Sequence, residues 1–121
     1  MSTYNGTMRP ELRGIEANDI PGWPDWSPSE PLDELQWFTV AIGLPGRAGV
    51  DNFQVAVATP AALRLLSGES KFVGLMVERF QPELVERTIR EFVESCEPST
   101  WEAIVDILRT RMNWEFEGYR A

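Results

Sequence analysis

The chain has 121 residues, 43% of them hydrophobic and 11% aromatic, which suits one folded domain spanning residues 1–121 and argues against global disorder. It has no histidine and a single cysteine, Cys96, which excludes an internal disulfide, a Ser–His or Cys–His catalytic pair and a histidine-bound zinc ion. The net charge of −8 disfavours binding to nucleic acid or anionic lipid and favours a basic partner.

The N-terminal segment carries few signals of regular structure. Residues 1–8 are expected to form a loose tail, and they lack the basic and apolar regions of a secretion signal. No apolar run approaches the ~20 residues needed to cross a bilayer, so we expect a cytoplasmic protein without membrane contact. Residues 12–17 are predicted as a first strand, with Leu12 and Ile15 on opposite faces.

A loop rich in proline and tryptophan is predicted over residues 18–35. Four prolines and a glycine between Asn18 and Pro31 are incompatible with regular structure. Trp23 and Trp26 lie in this loop, and their indoles have two interpretations. They fold back over the edge of the core, which is the commoner arrangement, or they form an exposed aromatic patch for a partner.

Two strands are predicted on either side of a glycine-rich connection. Apolar residues alternate in both strands, so that three from each share one face. These residues are Phe38, Val40 and Ile42 in the first strand and Phe53, Val55 and Val57 in the second. A phosphate-binding loop is followed by a helix, whereas a strand follows residues 43–49. The stretch is therefore interpreted as an antiparallel hairpin whose glycines allow positive φ.

The segment after Pro60 is predicted to contain a short helix and a third strand. The helix spans about two turns and ends at Gly68. Residues 71–80 are apolar on both faces at their centre, which is typical of a strand in the middle of a sheet.

The C-terminal part is predicted to be helical. Residues 82–96 and 100–112 carry apolar stripes at helical spacing, and Ser99 and Glu102 form a capping box before the second helix. Residues 113–120 are either a fraying helix end or a short final strand. The fold class is therefore α+β: an antiparallel β-sheet of about four strands with the two C-terminal helices packed on one face.

No cluster of residue types points to catalysis. Glycoside hydrolysis needs two carboxylates in a cleft, and the most unusual acid, Glu78, fits the solvated end of a strand. A calcium-type Asp-x-Asp-x-Asp loop is absent from the sequence. We therefore expect no catalytic, cofactor-binding or metal-binding residues. A small carboxylate-dependent enzyme or a ligand-binding accessory protein remains the alternative, and it would need a deep pocket with at least two acids.

The acidic residues of the C-terminal part suggest a binding surface. Between Glu83 and Glu117 there are nine acidic residues and four arginines. Glu94 and Glu97 are interpreted as lacking an i,i+4 basic partner, and Glu102 and Asp106 form a like-charge pair. Such acids either attract a basic partner or form a solvated face that only keeps the protein in solution. The candidate partner-binding residues are Glu94, Glu97, Glu102, Asp106, Trp23 and Trp26.

Two motifs carry a resemblance to a known family. The run G-x-D-x-F-x-V-x-V-x-T-P covers Gly49 to Pro60, and Cys96 and Trp101 form a C-x-x-x-x-W pair. With them the chain resembles the bacterial immunity protein 8 family from about Trp37 to Arg120. The resemblance implies an antidote in a polymorphic toxin system, which binds the C-terminal toxin domain encoded beside it and has no catalytic residues or cofactor.

The expected partner follows from the resemblance and from the charge. Acidic inhibitors suit basic targets, so a nuclease toxin is the favoured partner, while direct binding to nucleic acid or membrane is not expected. The free protein is expected to be a monomer or a weak homodimer. A third possibility is a structural subunit that self-associates through Trp23 and Trp26.

Overall fold

The computed structural model describes residues 8–64, 72–97 and 100–116, so most of the predicted tail lies outside the described residues. They form a mixed α+β fold with a five-stranded, mostly antiparallel sheet and three helices. In chain order the elements are β1 (Glu11–Ala17), β2 (Leu35–Gly43), β3 (Asp51–Ala58), α1 (Pro60–Arg64), β4 (Leu75–Met76), α2 (Pro82–Glu94), α3 (Trp101–Leu108) and β5 (Asn113–Trp114).

The predicted hairpin is confirmed, and it forms the centre of the sheet. β2 and β3 pair antiparallel, with Phe38 opposite Val55 and Val40 opposite Phe53. All six side chains that were predicted to share a face are completely buried. Because side chains alternate between the two sides of a strand, the opposite face of this hairpin carries Thr39, Ala41 and Gln54 outside the main core.

The predicted first strand is also confirmed, one residue longer at its start. β1 pairs antiparallel with β2, with Glu16 opposite Thr39. The register shifts between Leu12 and Gly14, so that Arg13 is an extra residue in the outer strand. This bulge explains why the apolar alternation of the segment is weak.

The prediction of a long third strand in the middle of the sheet is wrong. Only Leu75 and Met76 pair, parallel to β3, and β5 pairs antiparallel with another part of β3. The backbone approaches β3 closely at Gly74, where a Cβ would lie 2.4 Å from the carbonyl oxygen of Ala56. The segment is apolar because part of it crosses the core, where Phe80 is completely buried, and not because it is a covered central strand.

Two helices supply further core residues. α2 contributes Val85, Ile89 and Val93, and α3 contributes Ile104, Val105 and Leu108. These side chains belong to the same buried cluster as the inward side chains of β2 and β3. That both helices pack on one face of the sheet stays a prediction.

The helix ends differ from the prediction in detail. The N-cap of α3 is Thr100, whose hydroxyl accepts a hydrogen bond from the backbone N–H of Ala103 at 3.2 Å. The predicted cap, Ser99, is therefore one residue too early, and it lies outside the described residues. α1 is described from Pro60 to Arg64, so its predicted end at Gly68 also lies outside them.

The chain after α3 forms the short final strand that was one of the two predicted alternatives. None of the helices in the described ranges is long and apolar enough to cross a membrane.

Candidate partner-binding surfaces

The tryptophan loop lies against the core. The ring of Trp23 meets Phe38 edge to face at a centroid distance of 5.0 Å, and that of Trp26 meets Phe80 at 6.1 Å. Both indoles are partly buried against the core cluster. Edge-to-face pairs of this kind stabilise by ~0.5–1.5 kcal/mol beyond the area they bury. The interpretation that the loop folds back over the core edge is confirmed, which leaves only part of each indole accessible to a partner.

The acids at the end of α2 are partly neutralised. Arg90 forms ion pairs with Glu86 at 3.0 Å and with Glu94 at 3.4 Å. The interpretation that Glu94 lacks a basic partner is therefore wrong, because one guanidinium bridges the residues four positions before and after it. All three side chains are more than 40% exposed, so each pair stabilises the helix by only ~0–1 kcal/mol.

The other three predicted acids are exposed. Glu97 follows α2, while Glu102 and Asp106 lie on α3. Within the described ranges none of the three forms an ion pair. Glu102 lies in the first turn of α3, where a carboxylate interacts favourably with the helix dipole. It therefore has a structural role besides any role in binding.

A surface depression of about 440 Å³ separates the hairpin loop from the start of α3. Trp101 and Glu102 line it from the helix, and Arg47, Val50 and Asp51 are among the residues that line it from the loop and β3. Its charges are mixed, and Glu102 is the only one of the predicted acids that lines it.

The glycine-rich loop is held by an arginine from the neighbouring strand. The guanidinium of Arg13 donates hydrogen bonds to the backbone carbonyl oxygens of Leu44, Arg47 and Gly49. The loop thus presents carbonyl oxygens to a cation, which is the opposite of the N–H groups that hold a phosphate. The interpretation as a hairpin turn is confirmed.

Two glycines of this loop are needed for different reasons. Gly46 has a φ of +79°, which other residues rarely adopt. A Cβ at Gly43 would lie 2.7 Å from the carbonyl oxygen of Gly49, so that position needs glycine because the backbone approaches closely. Positive φ therefore explains one of these two positions, and space explains the other.

The outward face of the sheet carries a polar cluster that the sequence did not reveal. The side chains of Asn18, Thr39 and Gln54 are joined in a closed cycle of three hydrogen bonds. We call these three residues the polar triad. Alternation along the strands identified Thr39 and Gln54 as outward-facing, but their contact with Asn18 depends on how the loop after β1 meets the sheet.

A second depression, of about 710 Å³, lies over the polar triad. Glu16, Asp19 and Trp23 line it together with the triad, and none of its described lining residues is lysine or arginine. Glu16 and Asp19 are both exposed and form no ion pair with a described residue. None of the four acids that were predicted from the helices lines this acidic depression.

Features of an active site are weak in the described part of the chain. No group of three His, Cys, Asp or Glu residues there could hold a metal ion. Burial raises the pKa of the Cys96 thiol by desolvating the thiolate, a larger effect than the opposing hydrogen bond with its own backbone. A reactive cysteine requires the opposite change in pKa.

Comparison with protein families links these features to one group. A family model described as Immunity protein 8 matches residues 10–119, and so spans every described helix and strand. Comparisons with curated proteins and with solved structures gave no match.

Proposed function

The chain belongs to the immunity protein 8 family, and on that premise we propose that it binds the C-terminal domain of its cognate toxin and neutralises it by protein–protein contact. The family match over residues 10–119 carries this proposal. The absence of histidine and the buried, unreactive setting of Cys96 agree with a role in binding and not in catalysis.

We propose further that the toxin domain is basic and is a nuclease. An enzyme that cleaves nucleic acid holds the phosphate backbone with lysine and arginine, so its surface is positive. A protein with a net charge of −8 complements such a surface and is attracted to it over a distance. The charge is thus the observation that favours a nuclease over a toxin of another class.

A carboxylate-dependent enzyme is a weaker candidate. It would need a deep pocket that removes at least one acid from water. Glu16 and Asp19 do share a depression, but both side chains are exposed. Their setting favours contact with a partner over proton transfer.

Co-expression with the toxin domain tests the proposal. The domain encoded beside this gene should stop growth when expressed alone, and growth should return when this chain is expressed with it. A complex of the two proteins should also elute as one species from a sizing column. Growth arrest that persists in the presence of well-expressed, folded chain, with no complex on the column, would contradict the proposal.

The predicted acidic surface has its own test. Changing Glu94, Glu97, Glu102 and Asp106 to lysine should slow association with the toxin domain by about 10-fold or more at low salt, because steering by charge is lost. Association of the variant should also depend less on salt concentration. Stopped-flow mixing across a salt series measures both effects. Association rates identical to those of wild type would remove this surface from the interface.

A further inference from the structure

The polar triad is a rigid group on the outward face of the sheet. Thr39 donates to the amide oxygen of Asn18 at 2.8 Å, Asn18 donates to that of Gln54 at 2.7 Å, and Gln54 donates back to the Thr39 hydroxyl at 2.8 Å. Thr39 and Gln54 are direct neighbours across β2 and β3. The backbone N–H of Asn18 donates to the carbonyl oxygen of Trp37 at 2.9 Å, which fixes the third member beside the sheet.

The triad has hydrogen-bonding capacity to spare. Each amide oxygen and the hydroxyl oxygen accepts one bond within the cycle and can accept a second. Asn18 is exposed, Thr39 and Gln54 are partly exposed, and all three residues line the depression, so a ligand there can reach the triad. Because the cycle already fixes the three side chains, a ligand that binds them loses little side-chain entropy.

Negative charge surrounds the triad. Glu16 lies directly opposite Thr39 in the pairing of β1 with β2, and Asp19 follows Asn18 in the chain. Both carboxylates line the same depression as the triad, and no lysine or arginine does among its described lining residues. In contrast, Glu94 on α2 already shares Arg90 with Glu86. The sheet face therefore carries two carboxylates that form no ion pair with a described residue and that line one depression.

The sheet is also accessible at this place. The neighbouring outward positions on β1 and β2 are Gly14 and Ala41, which face each other across the two strands. A Cβ on Gly14 would come only into ordinary contact, 3.6 Å from that of Ala41. Gly14 and Ala41 line a further depression, which Glu16 and Thr39 also line, so the backbone of a partner can approach the sheet there.

We propose, on the basis of the function proposed above, that this region is the docking surface for a basic segment of the toxin domain. We define the sheet-face site as Glu16, Asn18, Asp19, Thr39 and Gln54. An arginine side chain of the partner enters the depression, where its planar set of five N–H donors bonds the two carboxylates and the spare oxygens of the polar triad. The carboxylates supply the charge, and the triad supplies fixed acceptors.

Two variants separate the parts played by charge and by the triad. Glu16→Arg/Asp19→Arg should weaken binding to a catalytically inactive toxin domain by about 10- to 100-fold, because it places like charges at the docking surface. Thr39→Val keeps the volume but removes the hydroxyl that closes the triad, and should weaken binding by about 5- to 10-fold. Thr39→Ser retains the hydroxyl and should bind like wild type.

The matched control is Glu78→Arg/Glu91→Arg. It changes the net charge by the same amount, at two exposed acids that do not line the depression. Isothermal titration calorimetry at one salt concentration gives the affinity of every variant, and thermal unfolding of the free proteins checks that each is folded. Weaker binding by both sheet-face variants, with the control and Thr39→Ser unaffected, supports the proposal.

The other outcomes are distinct. If wild type and both folded sheet-face variants bind equally well, the docking surface lies elsewhere and this inference is overturned, while the proposed function stands. If the control loses affinity to the same degree, net charge alone explains the effect, and this inference is also overturned. If wild type does not bind the toxin domain, the proposed function fails and this inference fails with it.

Discussion

Arg13 shows how one residue positions a loop to which it is not adjacent in sequence. It is the extra residue of the bulge in β1, and its guanidinium reaches three carbonyl oxygens of the loop between β2 and β3. It also forms an ion pair with Glu11 at 3.1 Å. The loop that lines the smaller depression is therefore fixed by β1 as well as by its own glycines.

Cys96 gives a prediction at this scale. Its side chain is 4% exposed, and burial raises the pKa of its thiol. We expect iodoacetamide to alkylate the folded chain far more slowly than the chain unfolded in urea, since only the thiolate reacts quickly. Mass spectrometry of timed samples measures both rates. Equal rates in the two states would contradict the buried setting.

The same shift in pKa has a consequence for stability. The unfolded chain loses the Cys96 proton at a lower pH than the folded chain, so folding becomes less favourable as pH rises through the interval between the two pKa values. Urea unfolding of wild type should thus show a loss of stability in that alkaline interval that is smaller in Cys96→Ala.

At the scale of elements, the start of α3 depends on one hydroxyl. Thr100→Ala should lower the free energy of unfolding by about 1 kcal/mol, because the N–H of Ala103 loses its acceptor. Thr100→Ser keeps the acceptor, so its free energy of unfolding should fall less. Urea denaturation followed by far-UV circular dichroism measures the difference. A Thr100→Ala variant as stable as wild type would show that the cap contributes nothing.

The elements that could be predicted from the sequence are those whose pattern lies within one continuous run of residues. β2, β3 and α2 have strong alternation or helical periodicity, and each lies where that pattern places it. The segment from 72 to 80 could not be predicted, because its apolar residues are explained by a path through the core. Pairing there involves only Leu75 and Met76, and a run of apolar residues does not distinguish a long strand from such a crossing.

The candidate surfaces also divide into features that a short stretch of sequence indicates and features that depend on distant contacts. The folding back of Trp23 and Trp26 could be anticipated, because indoles in a proline-rich loop usually cover a core edge. The ion pair of Glu94 was missed because its partner, Arg90, lies four positions before it and also pairs with Glu86. The polar triad depends on the contact of a loop residue with two strands, and a single sequence contains no local signal of that contact.

At the scale of the whole molecule, Phe80 joins parts that are distant in sequence. Its ring stacks on Phe38 of β2 at 6.3 Å and forms an edge-to-face pair with Trp26, while its N–H donates to the carbonyl oxygen of Pro31 at 2.7 Å. The sheet, the tryptophan loop and the segment after β4 therefore meet at one buried side chain.

Phe80→Ala tests this joint role. It should lower the free energy of unfolding by about 3–5 kcal/mol, because it removes a completely buried aromatic ring and leaves a cavity. Phe80→Leu fills most of the space, so its free energy of unfolding should fall clearly less. Fluorescence and circular dichroism during urea unfolding report on the tryptophans and on the backbone, respectively. If Phe80→Ala shifts only the fluorescence transition to lower urea concentration and leaves the circular dichroism transition unchanged, the parts are not coupled through this residue.

The bulge in β1 has a consequence for how the protein behaves at high concentration. Among the described strands β1 pairs with β2 alone, so its other edge could recruit the strand of a neighbouring molecule. The extra residue distorts that edge, and charged side chains at Glu11, Arg13 and Glu16 accompany it. Natural sheets use both devices to prevent edge-to-edge aggregation. The same distortion that turns Arg13 toward the hairpin loop thus discourages the chain from polymerising with its own copies.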